Sequence, residues 1–284
     1  MEPVLALAVA AMLGSAIAHA GMALLTKKAT DRLVFRATQM TIGTLVYLPW
    51  IVLNPIPEWE VWRFLLASAA TLVAFNLLML SAFERGDMNL VYPIMRGLAP
   101  ALAAAGAFLF LDEALAAPQI VGLAIAVGAL IGFAWPERDG VPKLAGMAYA
   151  ASAAAMTATY TVIDAAGVRA ASHVLTYVGW LFVLSLPPVL LAAWLRRGGR
   201  FLELARREIR WAAIASACGI VTYTLAMFAY SIAPVAPMAA LRETSIVFGA
   251  ALGALVLKES FGLRRIGLAI LLVAGLVLVQ TSRG

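Results

Sequence analysis

Runs of about twenty consecutive apolar residues recur from one end of this chain to the other, and no other feature constrains its fold as tightly. A bilayer's hydrocarbon layer, near 30 Å thick, is crossed by about 20 helical residues rising 1.5 Å each. Ten such runs can be marked, at 3–25, 37–53, 62–83, 89–111, 118–135, 144–163, 174–195, 211–232, 235–257 and 266–281. Each is continuously apolar rather than alternating, which excludes a transmembrane β-barrel. Hydrophobic residues make up 63% of the 284 positions and charged residues 13%. Soluble domains carry about half and about a quarter, so the apolar character here belongs to the whole chain and not to one anchor. The sequence therefore predicts an all-α integral membrane protein of ten transmembrane helices.

The charges fall mainly between the runs. A net charge of +6 in a soluble protein would suggest nucleic acid, but these basic residues sit in short gaps, where they act as topology signals, and no nucleic-acid partner is expected. Lys27, Lys28, Arg32, Arg36, Arg85, Arg138, Lys143, the arginines from 196 to 210, Lys258, Arg264 and Arg265 fall on one side of the membrane. Only Arg63, Arg169 and Arg283 fall on the other. The positive-inside rule makes the rich side cytoplasmic and both termini external, in the inner (plasma) membrane. Ala18-His19-Ala20 superficially resembles a signal-peptidase site, yet no Lys or Arg precedes it, so the first run is read as a retained helix. The segment 196–210 is expected to form a short amphipathic helix on the anionic inner leaflet, with Phe201, Leu202, Leu204 and Ala205 on its apolar side. The single cysteine, Cys218, excludes an intramolecular disulfide and leaves no thiol cluster for a metal, so no metal or cofactor is expected.

A shift of 146 residues brings Arg96 onto Arg242 and Glu113 onto Glu259 without a gap. One residue further out of register, Gly122-Leu123-Ala124-Ile125 matches Gly267-Leu268-Ala269-Ile270 identically. Spans four and five thus repeat as spans nine and ten. Two halves follow, 1–140 and 141–284, each of five helices. An odd number of helices per repeat makes the second copy enter the membrane inverted, the arrangement of many secondary transporters around a central cavity.

Several stretches resemble the EamA-type branch of the drug/metabolite transporter superfamily. Residues Ala239 to Phe248, reading Ala-Ala-Leu-Arg-Glu-Thr-Ser-Ile-Val-Phe, with Leu257-Lys258-Glu259 after them, are similar to its ninth-span segment. Tyr92-Pro93-Ile94-Met95-Arg96-Gly97-Leu98-Ala99-Pro100 resembles its fourth-span counterpart, and His19-Ala20 with Leu25 and Lys27 fits the end of its first span. Met22-Ala23 stands where relatives often have Trp-Asn. Asp112-Glu113-Ala114 and Lys258-Glu259-Ser260 replace the common Gly-Glu-Arg turn. The resemblance implies a ten-helix fold with a central cavity, and export of small metabolites, amino acids or drugs driven by a gradient. Family members often have cytoplasmic termini, opposite to the charge count.

An arginine near the middle of a membrane helix costs about 2.5–3.5 kcal/mol on insertion scales, so Arg96, Arg242 and Glu243 require a partner or a wet cavity. Arg96 and Arg242 lie at similar depths of their spans from opposite faces. They are read either as substrate contacts, for which a planar guanidinium favours a carboxylate or phosphate, or as structural pairs. Glu243 either neutralises Arg242 or meets a residue on another span, since adjacent helical residues do not face each other. It is also the candidate proton carrier. His19 is a proton relay or a packing residue, and Asn76, Tyr92, Tyr160, Thr222 and Tyr223 are polar groups that line the cavity or join helices. The substrate-binding set is taken as Arg96, Arg242, Glu243, Tyr92, Asn76, His19 and Tyr223. Pro93 and Pro100 are expected to kink span four. Gly249 with Gly253, and Gly128 with Gly132, are expected to bring helices close.

No G-x-x-x-x-G-K-[ST] loop occurs, so the chain has no ATPase of its own and any pumping is secondary. With two histidines, one cysteine and few intramembrane acids, no catalytic constellation is visible and an enzyme is not expected. The first reading is an exporter of small amino-acid-like or organic-acid metabolites working by alternating access. The alternatives are a proton-coupled exporter of cationic or hydrophobic drugs using Glu243, and a structural membrane protein that transports nothing. The expected partners are a small-molecule substrate and the lipid bilayer, with a monomer preferred to a homodimer because two fused halves complete the fold.

Overall fold

The computed structural model describes residues 3–85, 88–134, 144–257 and 263–281. Lys258, Glu259, Arg138, Lys143 and Arg283 lie outside them, and of Arg265 only the backbone is described. Every described element is helical. Helices α1 (Pro3–Lys28), α2 (Arg32–Leu53), α3 (Trp59–Arg85), α4 (Met88–Leu111), α5 (Ala117–Ala134) and α6 (Leu144–Ala170) lead to α7 (Val174–Arg197). A single 3-10 turn, Gly198–Arg200, then joins α7 to α8 (Phe201–Ile232), and α9 (Val235–Arg242), α10 (Ser245–Leu257) and α11 (Leu263–Thr281) follow.

A helix lies in each apolar run, but run nine holds two. Pro3–Lys28, Trp59–Arg85, Ile94–Leu111 and the stretch Val174–Ile232 are long and apolar enough to cross a membrane, and Ala117–Gly132 and Ile266–Val279 are shorter apolar helices. Large apolar side chains face outward along the helices, with Phe110 on α4 77% and Leu53 at the end of α2 83% exposed. Water would not tolerate such a surface, whereas lipid tails solvate it. The interiors are rich in alanine, interleaved with larger side chains such as Tyr177, Phe35 and Met12, and small residues let helix backbones approach.

The described chain forms two compact units, and each draws on both sequence halves. The first comprises 1–69, 167–232 and 245–259, and the second 70–166, 233–244 and 260–284. In the first unit α1 and α8 exchange hydrogen bonds, Ser15 Oγ donating to the Thr222 carbonyl at 2.7 Å and Thr222 Oγ1 to the Ser15 carbonyl at 3.4 Å. Tyr47 on α2 meets Thr224 on α8 through their hydroxyls at 2.6 Å. Asp31 caps α2 by accepting from the Leu33 and Val34 amides and also receives Arg197 from the end of α7. Glu208 on α8 accepts from the Thr30 amide at 2.8 Å.

The basic segment 196–210 is helical, but it is not a separate surface helix, because α8 runs unbroken from Phe201 into the span. Phe201, Leu204 and Ala205 pack on Val34, Ala37 and Ala193, while Leu202 is 57% exposed. Positions 201, 204 and 205 share one helical face, and 202 is turned about 100° from 201.

In the second unit α5 and α11 approach closely, at one glycine of the expected G-x-x-x-G pair and at two glycines outside it. A side chain begun at Gly122 would lie 2.7 Å from the Gly275 carbonyl, and one at Gly275 the same distance from the Gly122 carbonyl. Of the expected glycines, a side chain begun at Gly132 would lie 2.7 Å from Leu268, while one begun at Gly128 or Gly249 would meet no neighbouring described residue within 4 Å. The side-chain position of Gly253 is outside the described set.

Candidate functional site

Span nine breaks within its charged stretch. In a continuous helix the Leu241 carbonyl would accept from the Ser245 amide, four residues on. Here it accepts from the Thr244 amide at 3.0 Å and from Thr244 Oγ1 at 2.7 Å, and the Glu243 amide turns back to Ala240 at 3.1 Å. A threonine hydroxyl competing for a helix carbonyl is a local alternative to the helix. Helix α9 therefore ends at Arg242, Glu243 caps it, and α10 starts at Ser245. The expectation of one helix over 235–257 is corrected accordingly.

Helix α4 carries Arg96, and it runs unbroken through Pro93 and Pro100. It meets α6 and α9 at three alanines, Ala103, Ala158 and Ala239, whose small side chains let the helices approach. From that contact Glu243 lies four residues onward along α9 and Arg96 seven residues back along α4, so an antiparallel pair of helices delivers both to one level. Arg96 Nε stands 3.1 Å from Glu243 Oε2, and the two side chains are 21% and 6% exposed. The contact is electrostatic, lying off the axis of a hydrogen bond. Glu243 thus meets a residue on another helix and not only its chain neighbour. Arg242, half-buried, is adjacent to Glu243 in the chain. Two guanidinium groups and one carboxylate therefore belong to this stretch.

The other predicted residues are distributed more widely. Asn76, in the same unit, is exposed on α3, and its amide donates to the Leu72 carbonyl at 2.7 Å. Tyr92 belongs to α4, but its side chain lies outside the described residues. Tyr160 on α6 sets its ring against Phe75 on α3, with centroids 6.1 Å apart. His19 on α1 and Tyr223 on α8 belong to the first unit. Both are half-buried, and Tyr223 packs edge-on against Phe182 at 5.7 Å.

Asp164 is a buried acid that sequence reasoning missed, only 2% exposed on α6. The apolar run was closed at residue 163, one position short, whereas α6 continues to Ala170. An acid inside a helix this apolar was the available signal. Val91 and Met95 pack with Ala150 and Ala153, and Gly106 faces Val162, so α4 and α6 run parallel. Asp164 is therefore displaced from the level of Arg96 by roughly 15–20 Å at 1.5 Å per residue, near the start of α9.

Residues 6–135 and 144–281 each match the EamA-like transporter family. The chain belongs to that family. EamA proteins are membrane transporters of the drug/metabolite superfamily and not enzymes, so this chain is a multi-pass membrane protein with a small-molecule substrate. A solved chain described only as "Crystal structure of protein" is similar in fold, with a TM-score of 0.74 at 16% identity, and the match covers 96% of this chain and 98% of that one. No curated protein matches by sequence.

Proposed function

We propose that this EamA-family chain is a secondary active exporter of small carboxylate-bearing metabolites, either amino-acid-like or organic acids. It would work by alternating access of two inverted five-helix repeats, ten crossings in all, in the inner membrane. The observation that carries the reading is Arg96 Nε 3.1 Å from the 6%-exposed carboxylate of Glu243, with Arg242 next in the chain. Glu243 neutralises one guanidinium while the carrier is empty. A substrate carboxylate then competes for Arg96, for which a guanidinium fork is well matched. Arg242 supplies a second positive charge beside the entering anion. A cationic drug is the poorer fit, because Arg96 already occupies the carboxylate that a cation would require.

Counterflow in liposomes of purified protein tests this, using labelled amino acids, organic acids and a cationic dye. Saturable movement of an anionic or zwitterionic compound is expected, reduced at least roughly tenfold by Arg96→Ala or Arg242→Ala, as for a lost charge-assisted contact. Dye transport that is indifferent to both substitutions but lost in Glu243→Gln would overturn the reading.

A further inference from the structure

Helix α9 is buried along its length and has no conventional start. Val235, Ala236, Pro237, Met238, Ala239, Ala240 and Leu241 are all buried, although Pro234 just before them is exposed. The residue at its N-cap is Pro234, which offers no side-chain oxygen, and Pro237 contributes no N–H. Val235 itself is 0% exposed, and an amide left unpaired at a largely buried helix start is costly, so its N–H gains from an acceptor outside the helix. Glu113 supplies it, its Oε2 accepting from the Val235 amide at 2.6 Å.

The turn after α4 is shaped to bring Glu113 there. Asp112 takes a left-handed conformation with φ of 54°, which aspartate tolerates better than most residues. The Glu113 amide then folds back to donate to the Ala107 carbonyl at 3.2 Å. A carboxylate at a helix N-terminus also complements the positive end of the helix dipole. Helix α9 has 8 residues, a length of about 12 Å. The helix that holds Arg96 thus grips, through the turn at its end, the start of the short helix that leads to Arg242 and Glu243.

We infer that Glu113 is a positioning residue for the Arg96–Glu243 site, fixing α9 against α4 so that the two charges meet. The inference rests on the proposed reading of that site as the substrate site. Hydrogen–deuterium exchange on the full chain in nanodiscs tests the anchoring without reference to any substrate. In Glu113→Ala the amides throughout α9, including those of Arg242 and Glu243 at its far end, are expected to exchange at least roughly tenfold faster, the factor for one charge-assisted hydrogen bond. In Glu113→Gln, whose amide oxygen can accept the same bond, exchange stays near the wild-type rate. No change in Glu113→Ala, or a change confined to Val235 and Ala236, overturns the inference.

Uptake of labelled glutamate and succinate into liposomes supplies the functional arm. Glu113→Ala is expected to raise the apparent KM roughly tenfold for a transported probe and to add nothing in an Arg242→Ala background, because both act on one site. Full additivity overturns the positioning role. If wild type moves neither probe, it is the proposed substrate class that fails, and the exchange measurement alone decides Glu113. Should Glu113→Ala not assemble, Glu113→Asp, which keeps the charge but withdraws the carboxylate by one bond, carries the same expectations.

Discussion

Removing either member of the Arg96–Glu243 pair leaves its partner's charge in a mostly buried site, which typically costs about 3–5 kcal/mol. Replacing both by methionine removes the orphan as well as the pair. Arg96→Met with Glu243→Met is therefore expected to melt above either single variant in detergent, and a double variant no better than the worse single one would show the two charges to be uncoupled. Arg96 and Glu243 were legible as candidates because charge is rare inside apolar runs, but their pairing was not, since sequence does not reveal which faces of distant helices meet. Asp31 offers a test in the polar margin. Burial pushes its carboxyl upward, but the hydrogen bond and charge of Arg197 and the Val34 and Leu33 amides outweigh this and hold it below the ordinary 3.8. A lowered folded pKa gives stability that is present above the unfolded value and is lost as pH falls through the folded one. Asp31→Ala is thus expected to cost about 1 kcal/mol near neutral pH, most of it the lost cap, with the difference from wild type shrinking in melts below about pH 4. A difference that grows on acidification would contradict the assignment.

At the scale of elements, the apolar runs gave the positions of the helices, because a membrane span must satisfy its own backbone and can do so only as a helix. What they concealed was local. The break after Arg242 depends on where one threonine hydroxyl points, and Ala, Ile and Val on both sides read as an uninterrupted run. Thr244→Val removes the hydroxyl while keeping the side chain's shape, and returns the Leu241 carbonyl toward the Ser245 amide. Slower exchange across 241–246 and a lower counterflow rate are expected if the break serves transport. Unchanged exchange would mean that the hydroxyl does not cause the break. The glycine spacing was only partly informative, for a related reason. G-x-x-x-G marks a smooth helical face but does not say which face is used, and the close contact falls at Gly122 and Gly275. Gly122→Leu is expected to lower stability by about 1–3 kcal/mol through overpacking, measured as a lower melting temperature, while Gly128→Leu, with open space beside it, changes little.

For the molecule as a whole, orientation is a question that charge and packing address together. Lys27 and Lys28 end α1, Arg32 and Arg36 begin α2, Arg196 and Arg197 end α7, and Arg206, Arg207 and Arg210 lie in the first turns of α8. The Asp31–Arg197 and Thr30–Glu208 contacts bind these helix ends into one surface of the first unit. A positive surface of this size belongs with the cytoplasmic, anionic side of a membrane. If that surface is cytoplasmic, α1, which ends on it, is expected to begin across the bilayer, with Pro3 outside. If the crossings number ten, the C-terminus returns to the same outer side, so the count and the orientation make separate predictions for the two ends. A C-terminal alkaline phosphatase fusion is expected to be active and the corresponding green fluorescent protein fusion dark, with an N-terminal tag accessible from outside. An N-terminal tag outside with the C-terminus inside would refute an even number of crossings while leaving the basic surface cytoplasmic. Both tags inside would keep the even number and refute the orientation, and would mean that the basic ends of α1, α2, α7 and α8 lie on the outer side despite their charge.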